Sequence, residues 1–147
     1  MENSLTVWAH GPYTKLCAWK NLREDISALS PADALNLATT WWQSSSAVRR
    51  TFDPWKIDKW PNPWNLLYQS EQCPNSIILG IYYTLALSNL NFYKLAVIND
   101  IEQRHNCLAL IVDDTTVITY NKTMCSTDTE LVEILNIFTH ADLAQLI

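Results

Sequence analysis

A single α+β domain is what the sequence predicts, on three observations. Residues 30–88 carry helical spacing behind Ser-Pro and Asn-Pro starts, residues 74–88 are apolar almost all round, and three β-branched stretches follow them. A helix apolar on every side must be covered on every side, so it is expected at the centre, packed on an antiparallel sheet.

The composition supports a packed core. A chain of 147 residues can bury roughly 70% of its unfolded surface. Apolar residues make up 48% against 17% charged, which excludes a disordered chain. Seven Trp and six Tyr supply either large core residues or flat contact area for a partner. With two glycines, Gly11 and Gly80, standing apart, no phosphate cradle or dinucleotide fingerprint can be drawn. The net charge of −5 and the absence of a Lys/Arg run argue against nucleic acid as a partner. Ile77 to Leu87, the longest largely apolar stretch, is too short to span a bilayer, and Met1-Glu2-Asn3-Ser4 does not read as a secretory leader. Cys17, Cys73, Cys107 and Cys125 lack C-x-x-C spacing and are expected as reduced thiols in a cytoplasm.

Along the chain, residues 5–29 alternate weakly and then turn polar, reading as an extended arm and a short irregular or helical piece. Ser30-Pro31 opens a helix with Asp33 near its positive end and Ala34, Leu35, Leu37, Ala38, Trp41 and Trp42 on one face. Residues 47–61 read as a structured loop around Pro54 and Pro61, and Asn62-Pro63 starts a second, short helix. Cys73-Pro74 heads the central helix, which runs to about Ser88. Strands are expected at 92–99, 106–112 and 116–121. Thr127-Asp128 then caps a C-terminal helix using Leu131, Val132, Leu135 and Phe138. The chain divides into an N-terminal arm and helical segment (1–61), a core (62–121) and a C-terminal helical segment (122–147).

Three residues could carry chemistry. At the start of the central helix, Cys73 meets unsatisfied backbone N–H groups and the positive end of a dipole, and both favour a thiolate. A cysteine nucleophile also needs a base and a group that orients the base. His105 begins one strand and Asn121 ends the next. A three-residue loop, Asp113-Asp114-Thr115, pairs Val112 with Thr116 and sets Cys107 opposite Asn121, which brings His105 and Asn121 to one face as diagonal neighbours. A two-residue loop reverses that parity. The plainer reading of Cys73 is a small buried hydrophobe, and of His105 a structural residue. Zinc held by Cys73, His105 and Cys107 lacks a fourth ligand and a recognisable spacing, so no metal or other cofactor is expected. His10 and His140 read as surface residues.

The ordered set Pro63-Trp64-Asn65-Leu66-Leu67, Gln72-Cys73-Pro74, Leu95-Ala96-Val97, His105 through Val112 and Val117 through Asn121 resembles the core of transglutaminase-like cysteine enzymes. The separations of 32 residues from Cys73 to His105 and 16 from His105 to Asn121 fit that pattern. The resemblance implies a transglutaminase-like core in which Cys73, His105 and Asn121 take the catalytic positions of an acyltransferase or peptidase, with Asn121 in place of the commoner Asp, as in papain-like enzymes. It implies an oxyanion held by the Cys73 N–H and an upstream donor from Gln72, Gln69 or Trp64. Gln72 stands where the family usually has Gly, Pro74 where it often has Trp, and Asn106-Cys107 where an aromatic residue is common. These departures bear on activity more than on fold.

A second resemblance rests on Trp60 through Leu67 and on Gly80-Ile81-Tyr82-Tyr83-Thr84-Leu85, which look like segments of small tailed-bacteriophage proteins encoded among virion genes. It implies a structural or adaptor subunit of a tail, neck or baseplate, made in the host cytoplasm, with other virion proteins as partners in a homo- or hetero-oligomeric assembly. The apolar ends, Leu5-Thr6-Val7-Trp8 and Leu143-Ala144-Gln145-Leu146-Ile147, lie outside the core segment. They are expected, with Trp8 or Tyr13, to be buried against another subunit.

Overall fold

The structure, a computed structural model, describes residues 7–45, 52–69, 71–90, 93–100, 105–113, 116–120, 123–125 and 132–146. Helices α1 (Pro12–Ile26), α2 (Pro31–Gln43), α3 (Pro63–Tyr68) and α4 (Pro74–Leu87) precede strands β1 (Tyr93–Asp100), β2 (His105–Val112), β3 (Thr116–Ile118), β4 (Thr123–Cys125) and β5 (Val132–Phe138), and a short helix α5 (His140–Leu143) follows. The strands form one antiparallel sheet in the order β4-β3-β2-β1-β5.

The starts of α2, α3 and α4 are legible in the residues that make them. Ser30 Oγ accepts from Asp33 N–H at 3.3 Å and Asn62 Oδ1 from Asn65 N–H at 2.8 Å, each cap followed by a proline whose missing N–H costs nothing there. Thr139 and Asp142 cap α5 reciprocally. Helix α1 takes up 15 residues where an extended arm and a short irregular or helical piece were expected. Its buried side runs Lys15, Trp19, Leu22, Ile26, which is helical spacing hidden by a lysine in a core position.

One sheet face carries the main core. Tyr93, Leu95 and Val97 of β1, Leu108, Leu110 and Val112 of β2, and Phe138 of β5 pack with α4, whose residues 75–85 are all buried. Ala96, Ile98, Ala109, Ile111 and Val117 form a separate cluster on the opposite face. The sheet thus sorts β2 by parity, even numbers toward α4 and odd numbers away from it.

Behind α4, Trp19 and Trp42 both donate their indole N–H to Thr84 Oγ1 at 2.8 Å, and that hydroxyl donates to the Gly80 carbonyl at 2.7 Å. Gly80 is required by this packing: a Cβ there would meet the Trp42 ring at 2.5 Å. Most of the tryptophan excess is therefore core, with Trp55 and Trp64 partly exposed.

One expectation is corrected. Residues 132–138 are strand β5, not helix. Ile98 pairs with Ile134 but Val97 with Asn136, so Leu135 is an extra residue in a bulge. Ile134 and Ile137 then share a face three residues apart, a spacing that imitates a helix. The open edge of β1 decides the matter. Of the apolar ends, Val7, Trp8 and Leu143 are buried in the chain's own core, and Trp8 Nε1 donates to the Trp41 carbonyl at 2.9 Å, while Leu5, Thr6 and Ile147 lie outside the described residues. Tyr13 is 80% exposed.

Candidate functional site

Cys73 is the N-cap of α4, in extended backbone just before Pro74. Its sulfur accepts from Ser76 N–H at 3.3 Å, while its own N–H donates to Ser76 Oγ at 2.8 Å. This is a capping box with a thiol in place of the usual hydroxyl, and the spacing Cys73-Pro74-Asn75-Ser76 is the sequence signal for it. Asn75, the second residue of the helix, is buried and bridges two elements: Oδ1 accepts from Leu108 N–H at 3.0 Å and Nδ2 donates to the Phe52 carbonyl at 2.9 Å. The first turn of α4 is thereby fixed to β2.

Cys73 is 9% exposed and opens on a cleft of about 700 Å³ whose walls include Phe52, Lys59, Trp60, Tyr68 and Glu71. Tyr68 is 76% exposed at its rim. The preceding segment is tied down from below. Gln72, fully buried, donates Nε2 to the Leu66 carbonyl at 2.7 Å, and Lys15 Nζ donates to the Gln69 carbonyl at 2.7 Å. Burial of the Lys15 ammonium pushes its pKa below the ordinary lysine value. Sequence reasoning did not assign Lys15, Asn75 or Ser76 to this region.

His105 opens β2 and is exposed. Its register with β1 is unbroken, Asp100↔His105 through Tyr93↔Val112, so alternation puts it with Cys107, Ala109 and Ile111 on the face away from α4. Asn106, also exposed, is the residue on the α4 side. The hairpin register itself is as expected, with Val112 opposite Thr116. Asn121 lies outside the described residues. Cys73 is therefore brought together with Ser76 and the cleft, and alternation along β2 assigns His105 to the face opposite Leu108.

The remaining thiols are an exposed Cys17 and a half-buried Cys107; the side chain of Cys125 is outside the described set. His140 is exposed but engaged, its Nδ1 within 2.9 Å of the Tyr82 hydroxyl and its ring stacked on Tyr82. Among the described residues, no group of three or more His, Cys, Asp or Glu is placed to hold a metal ion. None of the described helices is long and apolar enough to cross a membrane.

A Cys-headed central helix on an antiparallel sheet, with helices before it, is the transglutaminase-like fold, and the chain has that fold. Solved structures agree. LapG of Legionella pneumophila superposes with a TM-score of 0.74 at 11% identity, covering 95% of this chain and 86% of that one. EGTA-treated LapG gives 0.74 at 11% identity over 95% and 83%, and calcium-bound LapG gives 0.74 at 12% over 89% and 77%. At such identity the likeness is one of fold. By sequence the chain matches no family model and no curated protein.

Proposed function

We propose that the chain is a structural or adaptor subunit built on a transglutaminase-like fold, acting through protein–protein contact rather than through Cys73 chemistry. Its setting, on the sequence resemblance, is a tailed-phage particle assembled in the host cytoplasm with other virion proteins as partners. The observation that supports the non-catalytic part is the parity of β2: strand alternation assigns His105 to the face that carries Ala109 and Ile111, away from α4. The capping box supports it as well. The Cys73 N–H, which an oxyanion would need, already donates to Ser76 Oγ, and Gln72 Nε2 donates to a carbonyl.

Iodoacetamide at neutral pH tests this. The exposed Cys17 should be alkylated first and Cys73 slowly, with His105→Ala leaving the Cys73 rate unchanged. Labelling of Cys73 ahead of Cys17, slowed by His105→Ala, would overturn the reading. The particle setting is tested separately, by mass spectrometry of purified virions for this chain.

One observation favours a second reading, an active cysteine acyltransferase or peptidase. Cys73 stands at a helix N-terminus on an open cleft, in a fold shared with LapG. In that reading the thiolate attacks a carboxamide or peptide carbonyl, His105 carries the proton and Asn121 holds the ring. It requires β2 to present His105 on the α4 side.

A further inference from the structure

Lys15 is an unusual core residue. It is 1% exposed, and among the described residues its ammonium meets no carboxylate; it has the Gln69 carbonyl at 2.7 Å and the face of Trp8, 5.6 Å from the ring centroid. A buried cation held by neutral groups is costly unless each contact is kept. Its acceptor, Gln69, is the residue that ends α3, where carbonyls are left over and a positive charge is favourable. Gln69 is also a wall of the Cys73 cleft, beside Tyr68 and Glu71. Trp8 is held in turn by the Trp41 carbonyl and by ring contacts to Trp41 and Trp42, with centroids 4.8 and 5.3 Å apart. One lysine therefore touches the N-terminal turn on one side and the cleft wall on the other.

We infer that Lys15 is a latch coupling the N-terminal turn at Val7–Trp8 to the cleft wall at Gln69, so that the cleft beside Cys73 is held in shape only while Trp8 is docked. The coupling is reciprocal: whatever draws the N-terminal turn off the core loosens the cleft, and whatever fills the cleft tightens the turn. It goes beyond the adaptor proposal and holds whether or not Cys73 is catalytic.

The test uses Cys73 as a reporter of opening. Alkylation of Cys73 and of Cys107, on the far face of the sheet, is followed under native conditions in the wild type, Lys15→Met, Trp8→Leu and the double variant. Loss of a charge-assisted hydrogen bond should raise the Cys73 rate about tenfold in either single variant. The double variant should be no faster than the quicker single, because both break the same latch. Cys107 should be unaffected. An unchanged Cys73 rate, additive effects, or a parallel rise at Cys107 would each overturn the inference, the last by showing general destabilisation. Amide exchange in the unmodified protein is the second measurement, and it needs no variant to fold. Residues 7–15 and the cleft-wall residues Gln69, Glu71 and Cys73 should open together as one unit, separately from β2. Independent opening of the two segments would refute the latch.

Discussion

Replacing Thr84 by Val tests the centre of the helical layer. The hydroxyl uses its whole capacity, accepting from Trp19 and Trp42 and donating to Gly80, and all three partners are buried. Valine fills nearly the same space and leaves two indole N–H groups without an acceptor. Each such orphan costs about 1–3 kcal/mol, and the added methyl returns about 0.8 kcal/mol, so a net loss of about 1–5 kcal/mol is expected. That is a large part of the roughly 5–15 kcal/mol typical of a domain. Thr84→Ser keeps the hydroxyl and drops a methyl, for a loss of about 1 kcal/mol. Urea unfolding followed by far-ultraviolet circular dichroism measures both. A second arm replaces Trp19 and Trp42 by Phe, which removes the donors; Thr84→Val in that background should cost less than about 1 kcal/mol. The reasoning is refuted if serine is as damaging as valine, or if removing the donors leaves the cost of valine unchanged.

Gly80→Ala should destabilise by about 1 kcal/mol or more in the same assay: the close approach to Trp42 outweighs the roughly 1 kcal/mol of helix propensity gained. Asn75→Ala should cost about 2–4 kcal/mol, since it strands the Leu108 N–H and the Phe52 carbonyl together. Alkaline pH should unfold the protein through Tyr82, Tyr83 and Tyr93. Burial raises the Tyr82 pKa to about 12 and the other two further, so above pH 10 the unfolded chain loses protons that the folded one keeps. Stability should then fall by about 4 kcal/mol per pH unit, and Tyr82→Phe should reduce that slope by about a third in urea titrations at stepped pH. Lys15 acts with the opposite sign, because its lowered folded pKa makes the unfolded chain the better proton binder below pH 10.5.

The starts of α2, α3 and α4, the three central strands and the hairpin register were legible because local chemistry decides them. Proline after a capping side chain leaves little choice of helix start, and β-branched runs after an all-apolar helix leave little choice of strand. Two elements were concealed by single residues. Lys15 sits where the stripe of α1 calls for an apolar side chain, because its charge finds the end of α3, a partner 54 positions away. Leu135 inserts one residue into β5 and converts a two-residue period into an apparent helical one. The cleft was illegible for the same reason as Lys15: its walls come from the 52–61 loop, α3 and the start of α4, and only tertiary packing joins them.

The candidate site turns on a smaller quantity still, the parity of one strand. A Cys before a helix, a His opening a strand and the spacing between them are compatible with a catalytic pair and equally with the capping box seen here. Moving His105 by one position along β2 would carry it from the far face to the face of α4. Sequence order cannot distinguish the two, because it records that a His opens a strand and not which side the strand presents. The register assigns a side to each position of β2, through the membership of Leu108, Leu110 and Val112 in one core and Ala109 and Ile111 in the other. That difference can be put to use: the pair Asn106→His, His105→Asn moves the imidazole to the α4 side with the composition unchanged. An increase in Cys73 alkylation in this variant, absent from the wild type, would show that the fold retains the geometry for a Cys–His pair and that this chain's sequence withholds it. No increase would mean that Cys73 is committed to capping α4 whatever β2 presents.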